Sequence, residues 1–328
     1  MSKGSYDHVA HTAASTSRAG MRREEVFTSR GLDPMLDLRQ KPYRECLWVA
    51  PYEEARPVKI DLDETGSMST IPHFLVTDAH YGLPGMVKGL YPFLRHPQIG
   101  ICGIGDARQS HHELAPLQMG HFEGEGHKMD QWLTKIYLEG GGGGNLGESY
   151  ELGFFVGARL VRADAFSHGL KGFHFTVADE PIFDDVRAMD VLRLTGIHLP
   201  EDIATKDILR ELTANWHAFM IAPDPGRFHQ VENNWRRYFG DNAIAAPRHE
   251  DIAVVICGLT GLAEGTLNDL DAFDKLMHEQ FGRTDRAERG RVITTLEAYA
   301  ATRGKAGPSR QVDPTARPDD RESGNSRL

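Results

Sequence analysis

Four short apolar runs, at 57–62, 98–104, 172–177 and 216–222, alternate with stretches whose apolar residues fall at helical spacing. This alternation constrains the fold more than any other feature. Strands separated by helices pair in parallel, because each crossover must travel back over a face of the sheet. The expected architecture is α/β: a doubly wound, mostly parallel, Rossmann-like sheet flanked by helices. A modest apolar stretch at 116–122 begins with proline and suits a short edge strand. Helices are expected at 71–79, 83–94, 129–138, 147–161, 184–195, 202–214, 227–239, 249–263, 266–281 and 288–301. Three of the four runs end in acidic or glycine turns: Asp63, Gly105-Asp106 and Asp179. In an open α/β sheet, ligands collect outside the carboxyl ends of the strands. A site is therefore expected at those turns.

The first of them is the most informative. Residues 58–69 read Val-Lys-Ile-Asp-Leu-Asp-Glu-Thr-Gly-Ser-Met-Ser. Asp63, Thr65 and Ser67 follow one another at alternate positions, and Gly66 lets the backbone curl. One carboxylate and two hydroxyls form an all-oxygen set, which suits a hard cation such as magnesium. The same letters also offer Asp61-x-Asp63-x-Thr65, similar to the nucleophile loop of haloacid-dehalogenase-type phosphatases, with Asp61 attacking phosphate. A plain strand-to-helix turn, capped by Asp and Thr, is the third reading.

Farther along, Glu139 is followed by five glycines and Asn145, and then by Glu148-Ser149. Five successive glycines do not form the interior of a helix or strand. They read as a linker or as a loop that brings backbone close to a bound ion or partner. No Lys-Ser or Lys-Thr follows, so this is not a phosphate-binding loop.

Asp-x-Thr-Gly-Ser-Met at 63–68, Gly-Ile-Gly-Asp-Ala at 103–107, Pro-Leu-Gln-x-x-x-Phe-Glu at 116–123, the glycine run with Asn145, and Glu-Ser-Tyr-Glu-Leu at 148–152 resemble a bacterial branch of the von Willebrand factor A (vWA) family. The resemblance covers roughly 55–262. It implies a metal-ion-dependent adhesion site (MIDAS), in which Thr65 and Ser67 contact Mg2+ (or Mn2+) directly while Asp63 and Asp179 hold its waters. The family's second loop normally supplies a Thr. Here there is none, and Asn145 or Ser149 is left to provide a neutral oxygen. Asp61, Asp106 and Glu148 form the surrounding set, with Asp61 orienting a hydroxyl or a water and Glu148 adding charge. The implied function is protein binding, in which the ion takes a Glu or Asp from a partner, sometimes alongside AAA+ ATPases of the MoxR type. The phosphatase alternative draws on Asp179, Asp184 and Asp185 as late acidic groups and on Lys171 for phosphate, but leaves the Gly-Ser-Met and the glycines without a role.

Net charge is −10 and both ends of the chain are slightly basic, so the body is more acidic still. That argues against a nucleic-acid binder, which needs basic surface to displace counterions. Cys46, Cys102 and Cys257 are scattered without metal spacing and fit a reducing compartment. No run is long enough to span a bilayer, and the start lacks the apolar core of a signal peptide. Cytoplasm is the expected location. Residues 1–30 read as a loosely docked arm with weak helical character near 20–26, and 31–56 as an irregular lead-in. A vWA-like domain is expected at 57–262, helices at 263–302, and a disordered tail from 303. His111-His112-Glu113 point to different sides of any element, so they read as a solvated loop. Trp235-Arg236-Arg237-Tyr238 reads as a helix face with Arg stems over aromatics, and Trp132 and Trp216 as core.

Overall fold

The computed structural model describes residues 6–50, 52–66, 68, 70–108, 114–138 and 147–303. Near its start lies helix α1 (His8–Arg18), capped by the Asp7 carboxylate, which accepts from Ala10 N–H. The sequence suggests a loosely docked arm with weak helical character near 20–26; the structure has one turn of helix there and, before it, a docked helix at 8–18. One buried carboxylate accounts for this. Asp130 lies 2.9 Å from His11 Nε2 and accepts from the Arg18 guanidinium at 2.7 Å. Ser15, small and fully buried, lets the helix approach closely. A single turn, α2 (Arg23–Val26), follows. The lead-in is irregular, as expected, except for β1 (Arg44–Cys46).

The main sheet begins with β2 (Arg56–Asp63). Helices α3 (Thr70–Thr77) and α4 (Leu83–Leu90) lead to β3 (Pro97–Ile104), the edge strand β4 (Leu117–Met119) and α5 (Gly126–Lys135). Then come α6 (Tyr150–Phe155), a π-helical turn over Val156–Leu160, β5 (Val161–Ala163), which pairs with β1, α7 (Asp164–Ser167) and β6 (Gly172–Val177). The stretch expected as a helix from 184 is extended first. β7 (Asp185–Val186) pairs with β8 (Ile203–Ala204), and the helix between them, α8 (Ala188–Thr195), starts four residues late. The Arg108 guanidinium holds both the Asp185 carboxylate and the Asp185 carbonyl, and that carbonyl is thereby taken outside any helix. The chain closes with α9 (Thr205–Asn215), β9 (Trp216–Ala222), α10 (Pro225–Phe239), β10 (Ala243–Ala245), α11 (Ile252–Glu264), α12 (Leu270–Glu279) and α13 (Arg286–Arg303). The tail beyond 303 lies outside the described residues.

The six main strands stand in the order β10-β9-β6-β2-β3-β4, parallel except for β4. This is the doubly wound α/β fold. The sheet separates two apolar cores. Val58, Ile60, Leu62, Ile99, Ile101, Phe173, Phe175, Phe219 and Ile221 face α3, α4, α11 and the last two helices. Cys102, Ile104, Trp216, Ala218 and Met220 face α6, α9 and α10. The order reverses at β2. The chain works outward through β3 and β4, then returns to lay β6 against the other side of β2. The carboxyl ends of β2 and β6 therefore flank a crevice, the usual ligand position in such sheets.

Candidate functional site

Asp63 is the last residue of β2 and Asp179 lies two residues beyond β6, so strand pairing alone brings the two turns together. Asp63 is buried and fully hydrogen-bonded. Its Oδ1 accepts from Thr65 N at 2.9 Å and from Thr65 Oγ1 at 2.6 Å, and its Oδ2 accepts from the Tyr150 hydroxyl at 2.5 Å. Tyr150 in turn accepts from Glu180 N–H at 3.2 Å, which ties α6 to the turn after β6. Because the Thr65 hydroxyl gives its proton to Asp63, its lone pairs are available to a cation. Burial pushes the Asp63 carboxyl up to about 7, against the pull of the Thr65 and Tyr150 hydrogen bonds; the nearby Asp179 adds to the rise. Asp179, only 7% exposed, accepts from Arg227 at 2.6 Å.

The third side is the turn after β3. Ser149 N donates to Gly105 O at 3.2 Å, and Ser149 Oγ accepts from Ala107 N at 3.0 Å. Ser149 thus fastens α6 to this turn. Asp106 is fully buried; its Oδ1 accepts from Arg108 N at 2.8 Å, while its Oδ2 has no hydrogen-bond partner among the described residues. Glu148 is buried and bridges to Ile182 through its backbone. Arg108 reaches Glu151 Oε1 at 3.3 Å and lies over the Phe183 ring, 3.8 Å from its centroid. Burial pushes the Glu151 carboxyl up to about 8, with Arg108 opposing.

Asp61 is not part of this arrangement. It faces the same side of β2 as Asp63 but lies deeper, wholly buried, and holds other partners. The Lys59 ammonium donates to Asp61 Oδ1 and to Gly153 O, and His174 Nε2 donates to Asp61 Oδ2 at 2.6 Å. Burial alone would raise the Asp61 carboxyl; Lys59 and His174 outweigh it and hold the carboxyl below its ordinary value. Burial lowers His174, consistent with a neutral ring whose Nδ1 has no hydrogen-bond partner among the described residues. The sequence reading of Asp61 as the group that orients a hydroxyl or water at the ion is therefore replaced by a role in an internal ion pair. Lys171 sits just before β6, at the opposite end of the sheet, and donates to Thr213 O at 2.6 Å. Asp184 is engaged by Arg237 and Tyr238.

Of the residues expected to hold a cation, the structure brings together Asp63, Thr65 and Asp179 at one crevice. Asp106, Glu148 and Ser149 line the neighbouring turn. Ser67, Asn145, the five glycines and His111-His112-Glu113 lie outside the described residues. No three His, Cys, Asp or Glu side chains converge as a ready metal cage among the described residues. The donor set nonetheless fits magnesium bound mainly through hydroxyls and waters, which needs few carboxylates. The orphaned, buried Asp106 Oδ2 is an acceptor of the kind that holds such a water. Sequence reasoning assigned no role to Tyr150, Arg108 or Arg227. Tyr150 stood inside the Glu-Ser-Tyr-Glu-Leu motif; the two arginines carried no signal, since their partners are far away in the chain.

No family model matches the chain, and no curated protein matches it. Among solved structures it is similar to proximal thread matrix protein 1 of the mussel byssus, at 9% identity and TM-score 0.38, over 64% of this chain and 48% of that one. It is also similar to the pilus adhesin SpaC of Lactobacillus rhamnosus GG in its open conformation, at 12% identity and TM-score 0.36, over 67% of this chain and 30% of that one. The chain thus spans about half or less of the length of these proteins. No described helix is long and apolar enough to cross a membrane.

Proposed function

We propose that the protein is a metal-ion-dependent binding module of the vWA kind, which recognises a carboxylate on a partner protein. The observation that carries this reading is the pairing of Asp63 and Thr65 at the end of β2 with Asp179 beyond the adjacent β6, at the point where strand order reverses. Thr65, with Ser67, would contact Mg2+ or Mn2+ directly, and Asn145 or Ser149 would add a neutral oxygen. Asp63 and Asp179 would hold waters of the ion. Bound there, the ion offers an open coordination position to a partner's Glu or Asp. Few charged ligands leave the cation under-neutralised, which favours an incoming carboxylate. An acidic protein surface is the proposed partner, with an ATPase of the MoxR type the one that the family resemblance suggests. The competing phosphohydrolase reading has less support: Asp61 is 0% exposed with both oxygens engaged, and Lys171 is at the wrong end of the sheet.

A thermal melt with and without Mg2+ or Mn2+ tests the reading. An ion that binds only the folded state adds about 2.7 kcal/mol at a hundredfold excess over its Kd. The expected result is a clear rise in Tm for the wild type and none for Asp63→Ala. An equal rise in both proteins would refute the site. Turnover of an aryl phosphate that vanishes in Asp61→Asn would refute the binding function.

A further inference from the structure

We infer that Arg227 is a resident counter-cation of the candidate metal site, competing with the divalent ion for Asp179 and setting the concentration at which that ion binds. This rests on the metal-binding reading above and adds a means of regulation to it. The geometry is specific. Asp224 caps α10 and accepts from Arg227 N–H at 3.0 Å, which fixes the Arg227 backbone in the first turn of the helix. From there the side chain crosses to the turn after β6. Its guanidinium donates to Asp179 Oδ2 at 2.6 Å and lies 3.3 Å from the Sδ of Met68, in the same turn as Thr65. One cationic side chain thus spans the first and third turns, where the ion is proposed to sit.

The charges explain why it is there. Asp63 is buried and the Asp179 side chain is only 7% exposed, and a pair of carboxylates so placed is costly without a cation. Arg227 neutralises Asp179 when no metal is present. At 36% exposure it also has room to swing outward when an ion arrives. The competition is between two cations for one carboxylate. Binding of the ion would release Arg227 toward solvent beside the open coordination position, where it meets the partner's carboxylate.

The test is a Mn2+ titration, read by the electron paramagnetic resonance signal of the free ion, on wild type, Arg227→Gln, Arg227→Lys and Asp63→Ala. Losing one charge-assisted contact on the carboxylate should tighten Mn2+ binding about tenfold in Arg227→Gln. Arg227→Lys, which keeps the charge but not the fork, should fall between Arg227→Gln and wild type. Without metal, Arg227→Gln should melt below wild type, and saturating Mn2+ should close the gap. Equal Mn2+ affinity in wild type, Arg227→Gln and Arg227→Lys would overturn the inference and leave the metal site standing. Should Arg227→Gln fail to fold, the Arg227→Lys affinity alone decides: tighter than wild type supports competition, and unchanged overturns it. No binding to wild type or to either Arg227 variant would overturn the metal reading and this inference together.

Discussion

Lys59, Asp61 and His174 show how a single strand face can carry charge through the middle of a protein. All three are essentially inaccessible to solvent. An ammonium and a carboxylate cancel, and the His174 imidazole takes the second carboxylate oxygen. Buried pairs of this kind are weak sources of net stability, yet removing one partner strands the other. Lys59→Met should therefore destabilise the fold by about 3–5 kcal/mol. Replacing both charges, Lys59→Met with Asp61→Leu, should recover most of that loss. Urea denaturation of the two variants measures the difference; a double variant no more stable than Lys59→Met would show that the carboxylate is not the stranded group. The same residues explain why Asp61 was misassigned from sequence. It stands two positions before Asp63 and on the same face, and spacing alone cannot tell depth along a strand.

Helix α6 carries much of the site, because Tyr150, Ser149 and Glu151 all depend on how it sits on β2. Its seating depends on Gly153. A Cβ at that position would lie 2.3 Å from Asp61 Oδ2 and 2.5 Å from the Ile104 side chain. No side chain fits there, and the Gly153 carbonyl also accepts from Lys59 at 3.2 Å. Gly153→Ala should cost about 1–3 kcal/mol through overpacking, and by lifting α6 it should loosen the Tyr150–Asp63 contact. A chemical melt reports the first effect, and the Tyr fluorescence of a denaturant series the second. Wild-type stability in Gly153→Ala would mean that the helix does not pack this closely. The sequence marked 147–161 as helical from its apolar spacing. It did not show that the helix turns π-helical at Val156–Leu160, where the Gly157 carbonyl accepts from Trp216 Nε1 at 3.0 Å. That bond joins residues 59 positions apart, and nothing local encodes it.

At the scale of the whole molecule, the last two helices belong to the same core as the sheet. Phe273, Met277, Val292 and Leu296 are fully buried within the cluster that includes α4 and α11. A Cβ at Gly89 would strike Phe281, and one at Gly258 would strike Leu296 and Phe273. Each large apolar side chain so buried contributes about 1.5–3 kcal/mol, and several together match the entire stability of an ordinary domain, about 5–15 kcal/mol. A chain ending at residue 265 is therefore expected to lose its cooperative thermal transition and to bind a hydrophobic dye. A sharp melt near the wild-type temperature would show that α12 and α13 are dispensable.

The alternation of apolar runs with helical spacing is local, and it was enough to determine a parallel α/β sheet, its β4 edge and the turns that end β2, β3 and β6. Trp132 and Trp216 were legible as core for the same reason. The pattern Val-Lys-Ile-Asp-Leu-Asp, however, is also that of a strand with one face in water. Only the tertiary structure decided that both faces are buried, because only there do Lys59 and Asp61 meet His174, 115 and 113 positions away. The docking of α1 on Asp130, the Tyr150 hydroxyl on Asp63 and the Arg227 guanidinium on Asp179 were decided in the same way. Each joins segments that no periodicity relates. Backbone preference and hydrophobic period act over a few residues, whereas charge pairing acts across whatever the fold brings within about 4 Å.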